Sequence, residues 1–236
     1  MSAGNLPVVQ GAESAFPRAE YEERQRGARA LLTRSGIDVL VVTTPENVFY
    51  LTGQQTPGYY AFQALVLPAA GDPFFVVRQL EYPNLVANTF LADIAIYGDG
   101  EDPVAVVARL LRQRGLGARR IAIDKRGWFL PVRVYEALKE QLGAIEDGAG
   151  LVEELRAIKS PAEIERVAAA AAYVDQGIGA GLSAIRTGAS ENDVAAAMMG
   201  AAIAAGSEYL GMEPLVCSGP RSGIPHATWR RRQIGE

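Results

Sequence analysis

The hydrophobic pattern of this chain changes period once, near residue 150. Before that point short β-branched runs alternate with stretches whose apolar residues recur every three to four positions. Alternation of that kind builds a sheet with helices packed on it, an α/β domain. After "EDGAG" the chain turns helical and alanine-rich. The reading is two domains, residues 1–150 and 151–236.

In the first part, "PRAEYEERQRGARALLTRSG" predicts an amphipathic helix with Gly36 as its natural stop. "IDVLVVTT" predicts a buried strand, and "PENVFYLTG" a turn or short helix opening on Pro45 and ending at Gly53. "FQALVLP" and "PFFVVRQ" read as two strands joined by the hairpin turn "AAGD". "DIAIYG" and "RRIAID" are further strands. "DPVAVVARLLRQRG" is a helix with Asp102 as N-cap, and "PVRVYEALKEQLG" a helix ended by Gly143. The one hairpin makes the expected sheet mixed rather than purely parallel.

In the second part, Ser160, Pro161 and Glu163 spell a capping box, and Ile164, Val167, Ala168, Ala171, Val174 and Ile178 mark one helical face. Gly177, Gly179 and Gly181 weaken that helix, and suit close backbone packing or a local bend. "ASENDVAAAMMGAAIAAG" repeats the logic, with Ser190 as cap and Gly206 as stop. "EPLVCSG" reads as a strand, followed by a loop that carries His226.

Composition narrows the function. A net charge of −4 gives no global basic field for nucleic acid, and Arg230, Arg231 and Arg232 form only a local cluster. No run reaches the ~18 apolar residues of a bilayer span. The N-terminus lacks the basic-then-apolar order of a secretory signal. The single cysteine, Cys217, excludes an intramolecular disulfide and fits a reducing compartment. The expected location is the cytoplasm.

His226 is the only histidine in 236 residues. Residue by residue, a lone histidine with no carboxylate or cysteine neighbour in sequence is more often structural than catalytic. Cys217, nine positions before it, could pair with it only across space, and its apolar setting fits an inert buried thiol. Arg221 could clamp a substrate carboxylate in a bidentate fork or be a solvated loop arginine. "TPGYYAFQ" gathers Tyr59, Tyr60 and Phe62 on a Pro-Gly loop beside Gln63, where Phe62 can start a strand core that the tyrosines cap.

Four motifs in order resemble the pita-bread metallohydrolase family of creatinase, prolidase, aminopeptidase P and ectoine hydrolase. They are "EYEERQRGARALLTRSGIDVLVVTTPENVFYLTG", "LVEELRAIKSPAEIE", "GASENDVAAAM" and "PLVCSGPRSGIPHATW". The resemblance implies a creatinase-type N-terminal α/β domain with a mixed sheet, followed by the start of an α+β pita-bread catalytic domain. "SGPRSGIPHATW" leans towards the ectoine hydrolase and creatinase side.

The resemblance also implies a C–N bond hydrolase, either an Xaa-Pro dipeptidase or aminopeptidase or an amidohydrolase of the ectoine or creatine type. It gives His226 a catalytic place in the substrate pocket without being a primary metal ligand. There it positions substrate and stabilises the tetrahedral intermediate in the peptidases, or shuttles a proton in the creatinase branch. Arg221, Tyr60 and Phe62 become substrate-binding candidates, the two aromatics reaching the partner subunit's site in a homodimer. A divalent metal (Mn, Co or Zn) is implied for the family, but its five ligands lie downstream of the position of His226, and this chain offers none of them. The expectation is a chain interrupted within its catalytic domain and inactive alone. The competing reading is a non-catalytic dimerisation or binding module.

Overall fold

Gly36 ends the first helix, α1 (Arg18–Ser35), in the left-handed conformation, at φ 66°. That turn lets the Ile37 N–H donate back to the Leu32 carbonyl at 2.9 Å and aims the chain into β1 (Val39–Val42). In the computed structural model, which describes residues 8–235, every residue of β1 is buried. The reading of the N-terminus as free of a secretory signal falls partly on residues 1–7, outside the described residues. Among the described residues no helix is long and apolar enough to cross a membrane.

The sheet grows on both sides of β1. After α2 (Pro45–Thr52) come β2 (Ala64–Pro68) and β3 (Phe74–Arg78), the expected hairpin. A 3-10 turn (Gln79–Glu81) and α3 (Tyr82–Asn88), which sequence reading leaves out, precede β4 (Ile94–Tyr97). Then follow α4 (Pro103–Gln113), β5 (Ile121–Ile123), α5 (Val132–Leu142), the unforeseen β6 (Ile145–Asp147) and α6 (Leu151–Ala157). The strand order is β4-β3-β2-β1-β5-β6. Strands β1, β2 and β3 pair antiparallel in sequence, and the other three pairs are parallel. The mixed α/β sheet is as expected.

Side-chain alternation splits β1 between two cores. Leu40 and Val42 join Leu32, Leu51, Leu65, Phe75, Leu85 and Val152 on one face, under α1, α2, α3 and α6. Val39 and Val41 join Val66, Phe74, Val107, Leu111, Ile123 and Leu138 on the other, under α4 and α5. Both faces being covered explains why the strands read as continuous apolar runs.

The chain forms two compact units that part between Ile158 and Lys159. Helix α6, placed after the boundary by sequence reading, belongs to the first unit because Val152 is buried in its core, with Leu151 and Leu155 packed alongside.

The second unit is built on α7 (Pro161–Ala184) and α8 (Glu191–Ala204), each opened by the expected capping box. The Ser160 N–H donates to Glu163 Oε2 at 2.8 Å, and the Ser190 N–H donates to Asp193 Oδ2 at 2.8 Å. The helices meet along glycines: a Cβ on Gly177 would lie 3.0 Å from the Met198 carbonyl oxygen, and one on Gly181 would strike the Met198 side chain. Gly179 faces open space. The apolar face of Ile164, Val167, Val174 and Ile178 is turned outward, with Val167 58% exposed. "EPLVCSG" is not a strand. It makes no ladder with the described residues, and a strand exists only by pairing. Instead Ser190 and Gln233 form an isolated antiparallel bridge.

Candidate functional site

The expected site residues fall into two groups, one in each unit. In the second unit the organising residue is Glu191, at the first position of α8. Its side chain is wholly buried. Its Oε1 accepts from the Ser218 N–H at 2.8 Å and the Ser218 hydroxyl at 2.9 Å. Its Oε2 accepts from the Arg230 N–H at 2.7 Å and pairs with the Arg221 guanidinium. Burial pushes this carboxyl up, but the Arg230 amide, the hydroxyl and amide of Ser218 and the Arg221 charge together hold it below the usual carboxylate range.

Arg221 donates its other terminal nitrogen to the Thr228 carbonyl at 2.7 Å. Both terminal nitrogens of its guanidinium are thus engaged, one on Glu191 and one within the loop. Ser218 and Arg221 lie before His226, and Thr228 and Arg230 after it, so the two limbs of the loop are tied to each other and to α8. Between them the Ile224 N–H donates to the Arg221 carbonyl at 3.0 Å and the Ala227 N–H to Ile224 at 3.3 Å.

His226 sits exposed at the turn between these limbs. It is the only non-glycine with positive φ (55°) among the described residues. Histidine tolerates this left-handed region better than most residues, but a residue held there still costs roughly 1–3 kcal/mol and persists only where its surroundings enforce it. Cys217, at the edge of the loop, is a half-buried free thiol.

In the first unit Tyr59, Tyr60, Phe62 and Gln63 line one cleft of about 330 Å³, closed by Phe129 and Arg133. Asp102 and Pro131, where α4 and α5 begin, bound it too, and the Asp102 carboxylate is used to cap Val104 at 3.0 Å. Tyr59 meets Phe129 edge to face at 5.0 Å, and Tyr60 is 80% exposed. Phe62 packs on the core while its carbonyl accepts from the Tyr97 hydroxyl at 2.5 Å. Burial pushes that phenol up to about 12. Phe62 thus opens the strand core, and Tyr60 stands exposed at the cleft mouth.

The "PEN" motif has a structural use. Asn47 donates to Asp124 at 2.6 Å and to Glu153 at 2.9 Å, and accepts from Arg156 at 2.8 Å. Sequence reading missed this network, as it missed Glu191, because the partners are distant in sequence. Among the described residues no group of three or more His, Cys, Asp or Glu side chains could hold a metal ion.

Residues 24–158 match the Creatinase/Prolidase N-terminal domain. This chain belongs to the creatinase/prolidase family. Residues 165–236 match metallopeptidase family M24, so the two family segments follow one another in order. The chain is 31% identical over 240 residues to an uncharacterized hydrolase/peptidase, y4tL, of Sinorhizobium fredii, covering 95% of this chain and 60% of the relative. It is 25% identical to the ectoine hydrolase of Halomonas elongata, covering 91% and 59%. Among solved structures it resembles dipeptidase PepE from Mycobacterium ulcerans, with a TM-score of 0.76 at 27% identity, covering 93% of this chain and 58% of the other. The chain thus spans about three fifths of the length of these creatinase/prolidase relatives.

Proposed function

We propose that the protein carrying this chain hydrolyses a C–N bond in a small substrate, either an Xaa-Pro dipeptide or the amide- or amidine-type bond of a zwitterion such as ectoine or creatine. The observation that carries this reading is the ordered match of both family segments along one chain. In this reading His226 is the catalytic residue contributed by this chain. It transfers a proton or donates a hydrogen bond to the oxygen that gains charge as the bond is attacked. Tyr60 and Phe62 wall the substrate, in a homodimer from the partner's side, and Arg221 supports the loop that presents His226. The single cysteine suits a cytoplasmic setting.

The family name implies a divalent metal, in this reading Mn, Co or Zn. The described residues do not fit one, since they gather no ligand cluster, and no step is assigned to a metal. The test is hydrolysis of an Xaa-Pro dipeptide, ectoine and creatine by the purified protein carrying this whole chain within its full length, and by its His226→Ala variant, with and without added Mn²⁺. Cleavage of one substrate, lost in the variant, is the expected result. No cleavage under any condition by the protein carrying this chain rejects the hydrolase reading and favours a binding module.

A further inference from the structure

Glu191 is placed where a helix-capping role would be redundant. The capping box of α8 is already closed by Ser190 and Asp193, each satisfying the other's backbone N–H. The four donors that Glu191 receives all come instead from the segment 218–230: the Ser218 amide and hydroxyl, the Arg221 guanidinium and the Arg230 amide. They reach it across 27, 30 and 39 positions of sequence. One buried carboxylate therefore gathers both limbs of the loop.

The loop needs such an anchor. It contains the one left-handed non-glycine backbone among the described residues, at His226. Its span lies in no helix or strand, apart from the 3-10 turn Gly219–Arg221. A conformation that costs energy locally is kept only by contacts made elsewhere, and here those contacts converge on Glu191 and Arg221. We propose that Glu191 is the positioning residue for His226: its buried carboxylate draws Ser218, Arg221 and Arg230 together, and so fixes the turn on which the imidazole stands. The role of that imidazole in turnover rests on the function proposed above, whereas the anchor itself does not.

Because His226 is the only histidine in the sequence, the 236-residue chain labelled with ¹³C at histidine Cε1 has a single imidazole resonance. In the unaltered chain that resonance is expected to be one narrow line, shifted from its unfolded position. Glu191→Gln removes the charge that holds Arg221 and turns an amide NH₂ towards N–H donors. The line is then expected to move to the unfolded position or split, while the helical circular dichroism of the chain persists. Should Glu191→Gln fail to fold, Ser218→Ala and Arg221→Gln each remove one tie from the loop side, and the same displacement is expected of both.

If the line stays in place in a folded Glu191→Gln chain, or in both loop variants where that chain does not fold, the anchor is refuted, whatever the protein hydrolyses. Where turnover is measurable, Glu191→Gln is expected to lower kcat at least tenfold and to add less than twofold in a His226→Ala background. Full additivity would mean that Glu191 does not act through His226. A displaced line together with full turnover in His226→Ala would leave the anchor standing and overturn the catalytic reading instead.

Discussion

Asn47 and Arg156, 109 positions apart, are joined by a 2.8 Å hydrogen bond from the guanidinium Nη1 to the amide Oδ1. The same amide's nitrogen is shared between Asp124 and Glu153, so one side chain closes α2 onto the end of β5 and onto α6. Asn47→Leu is expected to lower the unfolding free energy by about 2–4 kcal/mol, because it leaves the buried Asp124 carboxylate without its neutral donor and Arg156 without its acceptor. Denaturant titration of the two proteins checks this. A loss under about 0.5 kcal/mol would show that the network is structurally idle.

His226 can be tested for stability and chemistry at once. His226→Gly relieves a left-handed backbone at no steric cost, so its melting temperature is expected to equal or exceed that of the unaltered chain. His226→Ala keeps the strain. In the protein carrying this chain both are expected to lose roughly 10²–10⁴ in kcat if the imidazole takes part in proton transfer. Equal melting temperatures with turnover retained in both would remove His226 from the chemistry.

Acid should loosen the second unit through Glu191. Its carboxyl is held below the usual range in the folded chain, so the unfolded chain takes up the proton first. The stabilisation is therefore fully present above the unfolded value of about 4.3 and is lost as pH falls through the lower folded value. Thermal melts at neutral pH and across the acid range check the sign. Glu191→Gln is expected to flatten that part of the profile; an unchanged acid slope would contradict the assignment.

The glycines of α7 should separate by position. Gly179 faces open space, so Gly179→Ala is expected to stabilise the helix by up to about 1 kcal/mol. Gly177→Ala sets a methyl 3.0 Å from a backbone carbonyl that cannot swing away, and is expected to destabilise. Comparable melting temperatures for the two variants would show that the helices can move apart freely.

The outward face of α7 should bind a hydrophobic dye. Ile164, Val167, Val174, Ile178 and Leu182 are all exposed along it, and patches of this kind promote association. Val167→Lys with Ile178→Lys is expected to cut ANS fluorescence and sharpen the sedimentation profile towards monomer. A chain already monomeric and dark with ANS would contradict this.

What the sequence disclosed was what is decided locally. The caps at Asp102, Ser160 and Ser190 and the stop at Gly36 depend on residues three or four positions apart, and each was legible. Strand β6 is three residues long and too short to show a period. The supposed strand at "EPLVCSG" has the right composition but no ladder partner among the described residues. On α7 the large apolar residues suggested the important face, yet the helix partner lies against its glycines, since only they allow so close an approach. Tyr60 and Phe62 could be picked out as neighbours, and they do share a cleft. Glu191 gave no signal beyond its place in "SEND", because its role is set by residues 27 to 39 positions further on.

The sheet order leaves β4 and β6 as the two edges of the first unit. They are four and three residues long, and acidic side chains flank or occupy both: Asp93 and Asp99 beside β4, Glu146 and Asp147 on β6. Glu146 is further drawn into an ion pair with Arg120. Short, charged edges are poor templates for a visiting strand. Edge-to-edge pairing of two copies is thereby disfavoured, which leaves side-chain surfaces as the easier route for one copy to meet another.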